Sequence, residues 1–120
     1  MTKVKFSILT TVYNKEDFLA QAIQSVLGQS YHDFELIIVD DGSSDESWCI
    51  AKKFASEDSR VRIFRNDSNL GDYPNRNKAM SLAENEYLKF LDADDVMAPC
   101  ALATYADAVS NVAGDEPLYY

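Results

Sequence analysis

The sequence predicts an α/β fold: one domain over residues 1–120, built as a three-layer α/β/α sandwich with a mainly parallel sheet. Extended and helical hydrophobic patterns alternate along the chain, which is how strand–helix–strand units feed a parallel sheet. Two extended runs end abruptly in aspartates, Asp40-Asp41 and Asp92-Ala93-Asp94-Asp95. Strand ends are where open parallel sheets bind ligands. The composition, 47% hydrophobic and 26% charged, is that of a globular chain able to bury an ordinary core.

Val4 to Thr10 reads as the first strand, followed by Asn14 as a helix N-cap with Asp17 three residues on. Phe18, Leu19, Ala22, Ile23, Val26 and Leu27 then recur at helical spacing until Gly28 stops the helix. Phe34 to Val39 is an apolar run with Glu35 near its start, suited to a strand covered on both faces. Ser43 and Glu46 have capping-box spacing ahead of a helix that buries Trp48, Ile50, Ala51, Phe54 and Ala55. Arg60 to Arg65 alternates charged and apolar residues and predicts a strand near the sheet edge. A polar loop, Asn66 to Asn75, holds Gly71 and Pro74, and a helix is predicted from Arg76 to Ala83 with Ala79, Met80 and Ala83 inward. Tyr87 to Leu91 is the fourth strand, and Pro99 opens a last helix that runs through Val109. Gly114 and Pro117 break the pattern. Leu118-Tyr119-Tyr120 then reads as an interrupted strand whose unpaired apolar edge invites self-association, so a homodimer is expected.

Twenty acidic against eleven basic residues give a net charge of -9, and no Lys/Arg cluster interrupts it. Nucleic acid is therefore excluded as an expected partner. Cys49 and Cys100 lie far apart outside any C-x-x-C pair, and read as small apolar helix residues in a reducing compartment. No stretch approaches the roughly 18 apolar residues of a membrane span. The expected location is cytoplasmic, with peripheral attachment at the inner membrane face.

If the strands are parallel, Thr11-Val12-Tyr13-Asn14, Asp40-Asp41 and Asp92, Asp94 and Asp95 converge on one rim. A lone Asp pair in a loop is ordinarily a turn or a cap. Two acidic groups at equivalent strand ends repel each other unless a cation or hydrogen-bond donors offset them. Oxygen ligands without nearby His or Cys favour Mg²⁺ or Mn²⁺. The four glycines form neither G-x-G-x-x-G nor a P-loop, so a diphosphate bound here would rely on a bridging metal. Arg76 adds a charge-assisted contact. His32, the only histidine, reads as a turn residue.

Thr11-Val12-Tyr13-Asn14, then Ser25-Val26-Leu27, Gln29, Tyr31 and the run from Asp33 to Asp45, look like the opening half of a known family. Asn69, Gly71, Arg76 and Asn77 stand in the places of an N-x-G-x-x-x-A-R-N stretch, and Asp92-Ala93-Asp94-Asp95 in that of a D-x-D motif. From about Val4 to Val109 the chain resembles family 2 glycosyltransferases. The resemblance implies a GT-A fold truncated after the D-x-D region, and inverting transfer from a nucleotide-diphosphate sugar, a UDP-sugar first, to an acceptor hydroxyl. The implied acceptor is a glycan or lipid-linked molecule of cell-surface polysaccharide or glycolipid synthesis. Thr11 and Tyr13 would line the base pocket, with Val12, Asn14, Gly71 and Ala93 beside them. Asp41 would accept the N–H of a pyrimidine base, supported by Asp40, and Arg76 would meet base or phosphates. Asp92 and Asp94 would lie between ribose and metal, with Asp94 or Asp95 ligating Mn²⁺ or Mg²⁺. The family's acceptor region and catalytic base fall beyond residue 120. Asn75 and Ala79 depart from the family's usual Ala and Gly.

A Mg²⁺-binding receiver module is the alternative, since it too places an acidic pair after a strand. It needs a phosphoacceptor Asp ending a middle strand, where this chain has Arg65-Asn66. A nucleotidyltransferase would open with a Gly-rich basic loop, and Thr11 to Asn14 is neither.

Overall fold

The computed structural model describes residues 4–110. Strands and helices alternate: β1 (Phe6–Val12), α1 (Leu19–Leu27), β2 (Phe34–Asp40), α2 (Ser47–Glu57), β3 (Val61–Arg65), α3 (Asp72–Leu82), β4 (Tyr87–Phe90) and α4 (Ala101–Ser110). The sheet order is β3-β2-β1-β4 and every pairing is parallel. The chain winds outward from β1 to β3, then crosses back to set β4 against the free side of β1. The carboxyl ends of β1 and β4 therefore flank a topological switch point, where open α/β sheets form a crevice. A receiver-type order would instead put β1 beside β3.

Two apolar clusters hold the layers. On one face Phe6, Ile8, Val12, Leu36 and Ile38 pack with Leu19, Ile23 and Val26 of α1, Ala51 of α2, and Leu102 and Ala106 of α4. On the other, Leu9, Ile37 and Val39 meet Ala79 of α3. All seven residues of β2 are buried, as its near-continuous apolar run requires. The stripe Leu19, Ala22, Ile23 and Val26 is buried at the predicted helical spacing. β3 takes the sheet edge, as its alternation predicts. No helix among the described residues is long and apolar enough to cross a membrane.

Glu35 is the one charged residue on the buried face of β2 beneath α3, and donors surround it. Ser7 Oγ (2.6 Å) and Glu84 N (2.7 Å) donate to Oε2, and Arg62 Nη1 (2.8 Å) to Oε1. Asn85 closes the ring by donating from N to Ser7 Oγ and from Nδ2 to the Phe6 carbonyl. Burial pushes the Glu35 carboxyl up, but these hydrogen bonds and the Arg62 charge outweigh it and hold it below the ordinary value.

Several elements differ from the sequence expectation. β1 extends to Val12, because Thr11 and Val12 continue the ladder opposite Val39 and Asp40. Asn14 caps no helix: the N-cap of α1 is Phe18. The Ser43–Glu46 capping box does not form, since α2 begins at Ser47 with Glu46 as its cap residue. α3 begins at Asp72, four residues before Arg76, with Pro74 in its first turn where no backbone N–H is required. Only Asn75 and Ala79 are buried along α3, and Met80 is exposed. Pro99 and Cys100 lie in the turn before α4, and both cysteines are exposed rather than packed. The expected pattern break at Gly114 and Pro117 and the strand over 118–120, with the self-association based on it, lie outside the described residues.

Candidate functional site

The βα loops after β1 and β2 are stitched together by their side chains. Asn14 N donates to Ser43 Oγ (2.9 Å), Lys15 N to Ser47 Oγ (2.9 Å) and Glu16 N to Asp45 Oδ2 (3.1 Å). In return Ser44 N donates to Asn14 Oδ1 (2.8 Å) and Glu46 N to Glu16 Oε2 (3.0 Å). Asn14 has φ 51°, a left-handed backbone that asparagine tolerates better than most side chains. The residues expected to cap their own helices thus cap one another's loops. That fixes the backbone on both sides of Tyr13 and Lys15.

Asp40 and Asp41 point to opposite faces, as neighbours leaving a strand must. Asp40 is buried on the α1–α2 side, where its Oδ2 accepts from Ser43 N (3.0 Å) and faces Arg65 Nε (3.4 Å). Asp41 turns to the α3 side and collects Asn66 Nδ2 (2.9 Å) and Leu70 N (2.8 Å) on Oδ1 and Gly71 N (3.1 Å) on Oδ2. It anchors the 66–71 loop as well as lining the crevice. Gly42, at φ 79°, permits this closeness: a Cβ there would sit 3.3 Å from the Ser68 backbone. Asn66 extends the network by donating to Asn75 Oδ1 (2.7 Å) and accepting from Lys78 Nζ (2.5 Å).

After β4 the chain turns through Asp92, Asp94 and Asp95, whose ligand oxygens lie within 4.8 Å of one another, all exposed. At that spacing each unit-charge pair costs about 1 kcal/mol in bulk water and several times more near a protein surface. Two cations moderate this. Lys15 Nζ lies 3.6 Å from Asp94 Oδ2, and Arg76 Nη2 lies 3.3 Å from Asp92 Oδ1. Arg76 is itself held over the Phe90 ring at 4.7 Å. Behind the turn, Gln29 bridges α1 to the returning chain, donating to the Ala98 carbonyl (2.6 Å) and accepting from Leu102 N (3.1 Å). Ser25 Oγ accepts Met97 N (2.9 Å).

A cavity of about 420 Å³ opens between the ends of β1 and β4, a volume within the range of ligand pockets. Thr11, Val12, Tyr13, Asp41, Gly71, Asp92, Ala93 and Asp94 of the sequence-predicted set line it. Asp41 and Asp94, distant in the chain, thus face one space. Asn14 and Asp40 do not line it; their side chains are committed to the loops described above. Arg76 and Asp95 line an adjoining cavity of about 370 Å³, and Asp92 borders both. Sequence reasoning missed Lys15 and Asp72 as lining residues. A lysine among loop polars carries no periodic signal, and only the acids expected opposite it pointed there. It also missed the bracing roles of Gln29 and Ser25.

The three carboxylates form an all-oxygen, exposed and negatively charged donor set with no His or Cys, which fits a hard divalent cation such as Mg²⁺ or Mn²⁺.

The profile of the family described as Glycosyl transferase family 2 matches residues 7–111. An uncharacterized glycosyltransferase of Haemophilus influenzae is 44% identical over 92 residues, covering 77% of this chain and 37% of that protein. The Escherichia coli protein named UDP-Glc:alpha-D-GlcNAc-diphosphoundecaprenol beta-1,3-glucosyltransferase WfaP is 38% identical over 89 residues, covering 74% of this chain and 35% of that protein. Among solved structures, S. aureus TarS 1–349 in complex with UDP-GlcNAc superposes with a TM-score of 0.83 at 28% identity, covering 89% of this chain and 31% of that one. The chain spans about a third of the length of these relatives. The parallel sheet of GT-A type, the acidic turn at the switch point and a profile match over most of the length agree: the chain belongs to glycosyl transferase family 2.

Proposed function

We propose that this domain binds the donor of a glycosyltransferase, a nucleotide-diphosphate sugar with UDP as the nucleotide, and presents it to an acceptor hydroxyl. The observation that carries the reading is the shared cavity, where Thr11, Tyr13 and Asp41 face Asp92 and Asp94 across the switch point. Tyr13 is about half exposed and supplies stacking area for a base, while Thr11 adds a hydroxyl. Asp41 Oδ2 accepts one backbone N–H, which leaves lone-pair capacity for the N–H of a pyrimidine. Arg76 approaches the same turn from α3 and offers a guanidinium to phosphate oxygens.

Asp92, Asp94 and Asp95 would hold Mn²⁺ or Mg²⁺, and the bound ion would neutralise charge building on the departing diphosphate. The chain's own residues bind and orient the donor. Transfer proceeds with inversion at the anomeric carbon, to a glycan or lipid-linked acceptor of polysaccharide synthesis. The similarity to TarS, solved with UDP and with UDP-GlcNAc, supports UDP. So does that to WfaP, whose name gives a UDP-Glc donor and a lipid-linked acceptor. A cytoplasmic setting beside the membrane suits such an acceptor.

Calorimetric titration with UDP, GDP, CDP and dTDP, in Mn²⁺ and then in chelator, tests this. UDP should bind best, and chelation should weaken it at least tenfold. Equal binding of all four, or indifference to chelator, overturns it.

A further inference from the structure

Lys15 lines the cavity with Asp41 and Asp94, and its ammonium lies 3.6 Å from Asp94 Oδ2. Its backbone is fixed on both sides: its N–H donates to Ser47 Oγ, and its carbonyl accepts Phe18 N (3.0 Å) and Leu19 N (2.9 Å). The side chain, by contrast, is partly solvated. At 42% exposure, against 46% for Asp94, the pair is half in water, and a lysine stem has four rotatable carbons. The ammonium therefore sits where a cation bound by Asp92, Asp94 and Asp95 would meet like charge. We infer that Lys15 is an exchanging counter-ion: it covers Asp94 in the metal-free protein and swings to the donor's diphosphate once a divalent cation takes the carboxylates.

The inference rests on the donor-site reading above and adds a role for a residue which that reading leaves unused. Charge favours the exchange at each stage. Without metal, Lys15 offsets the repulsion among three aspartates. With metal on the carboxylates, Lys15 and the ion repel each other, and an arriving diphosphate supplies the anion that Lys15 has lost. The stitched loops hold the Lys15 Cα still, so the exchange needs only side-chain rotation. Binding of metal and of diphosphate then become linked, each relieving the charge that opposes the other.

The test compares wild type, Lys15→Met and Lys15→Arg by titration calorimetry, using MnCl₂ alone, then inorganic pyrophosphate and UDP at saturating Mn²⁺. Lys15→Met should bind Mn²⁺ alone about two- to fivefold more tightly, the scale of a half-exposed ion pair. It should bind pyrophosphate and UDP in Mn²⁺ about tenfold more weakly, the scale of a charge-assisted contact. Lys15→Arg should follow wild type. Opposite signs for the two ligands set this apart from a folding defect, which weakens both. Unchanged or weaker Mn²⁺ binding by Lys15→Met, or unchanged pyrophosphate binding, overturns the role of Lys15 and leaves the donor site standing. A wild type that takes up no Mn²⁺ overturns the metal site itself.

Discussion

At the amino ends of β1 and β2, Glu35 is buried with hydrogen bonds from Ser7, Arg62 and Glu84, so that its two oxygens hold the α3–β4 turn to the sheet. At the carboxyl ends of β1 and β4, Asp92, Asp94 and Asp95 crowd together in water with two partly exposed cations beside them. Both places concentrate negative charge, and they solve it differently. An acid that has gathered its donors within the fold is part of the architecture. Acids left near one another with unfilled oxygens keep their lone pairs for something else.

Removing the carboxylate should therefore have opposite consequences at the two ends. Glu35→Ala takes the acceptor from the Ser7 hydroxyl and the Glu84 N–H and the buried partner from Arg62, which keeps only the Leu82 carbonyl (3.1 Å) and the exposed Glu84 carboxylate (3.6 Å). It should cost about 2–4 kcal/mol of unfolding free energy by urea denaturation. Asp94→Asn removes repulsion and one half-exposed ion pair, so stability should move by less than about 0.5 kcal/mol. Its effect should fall on Mn²⁺-dependent UDP binding, reduced at least tenfold by calorimetry. Were Asp94→Asn to destabilise the chain as much as Glu35→Ala, the rim acids would be structural and the contrast would collapse.

Asp41 and Asn14 stand between these extremes, because each serves the fold while bordering the site. Asn14→Ala loses the acceptor for Ser44 N and keeps a left-handed backbone that alanine resists, for about 1 kcal/mol. It should also weaken UDP binding severalfold by loosening Tyr13 and Lys15, although its own side chain faces away from the cavity. A change in stability with binding untouched would show that the stitched loops do not position the site.

The sheet was legible in the sequence because β1, β2 and α1 carry long periodic apolar patterns that tertiary packing reinforces. The convergence of the acids after β2 and β4 on one cavity was legible because parallel strands must bring their ends to one rim. What local pattern could not give was partner choice. Ser43 and Glu46 have capping-box spacing, yet Ser43 accepts from Asn14 and Glu46 donates to Glu16, contacts that cross about thirty residues. The start of α3 was hidden for a similar reason: Asp72 to Asn75 are loop-like by composition, but Asp41 and Gly71 set the turn that begins a helix there. Lys15 was invisible until the loops met. The resemblance to a known family located the cavity-lining residues better than it located their partners: Asn14 and Asp40 sit in the matching motif and yet hold loops.

The smallest expected effect separates the two ends by pH. Glu35 is held below its ordinary value of 4.5, so the folded chain binds fewer protons at this group than the unfolded chain does across the window between the two values. Its contribution to stability is thus complete above about pH 4.5 and is lost as pH falls through the lowered folded value. Asp58, held down by the hydrogen bond from Arg60, adds a loss of the same sign, so wild type alone would not isolate Glu35. The difference between wild type and Glu35→Gln does, because Asp58 is common to both. Plotted from urea denaturation midpoints, that difference should be flat between pH 6 and 8 and should shrink steadily below about pH 4.5. A gap that persists unchanged into acid would mean that Glu35 stabilises through packing rather than charge, and the amino end of the sheet would no longer contrast with the rim.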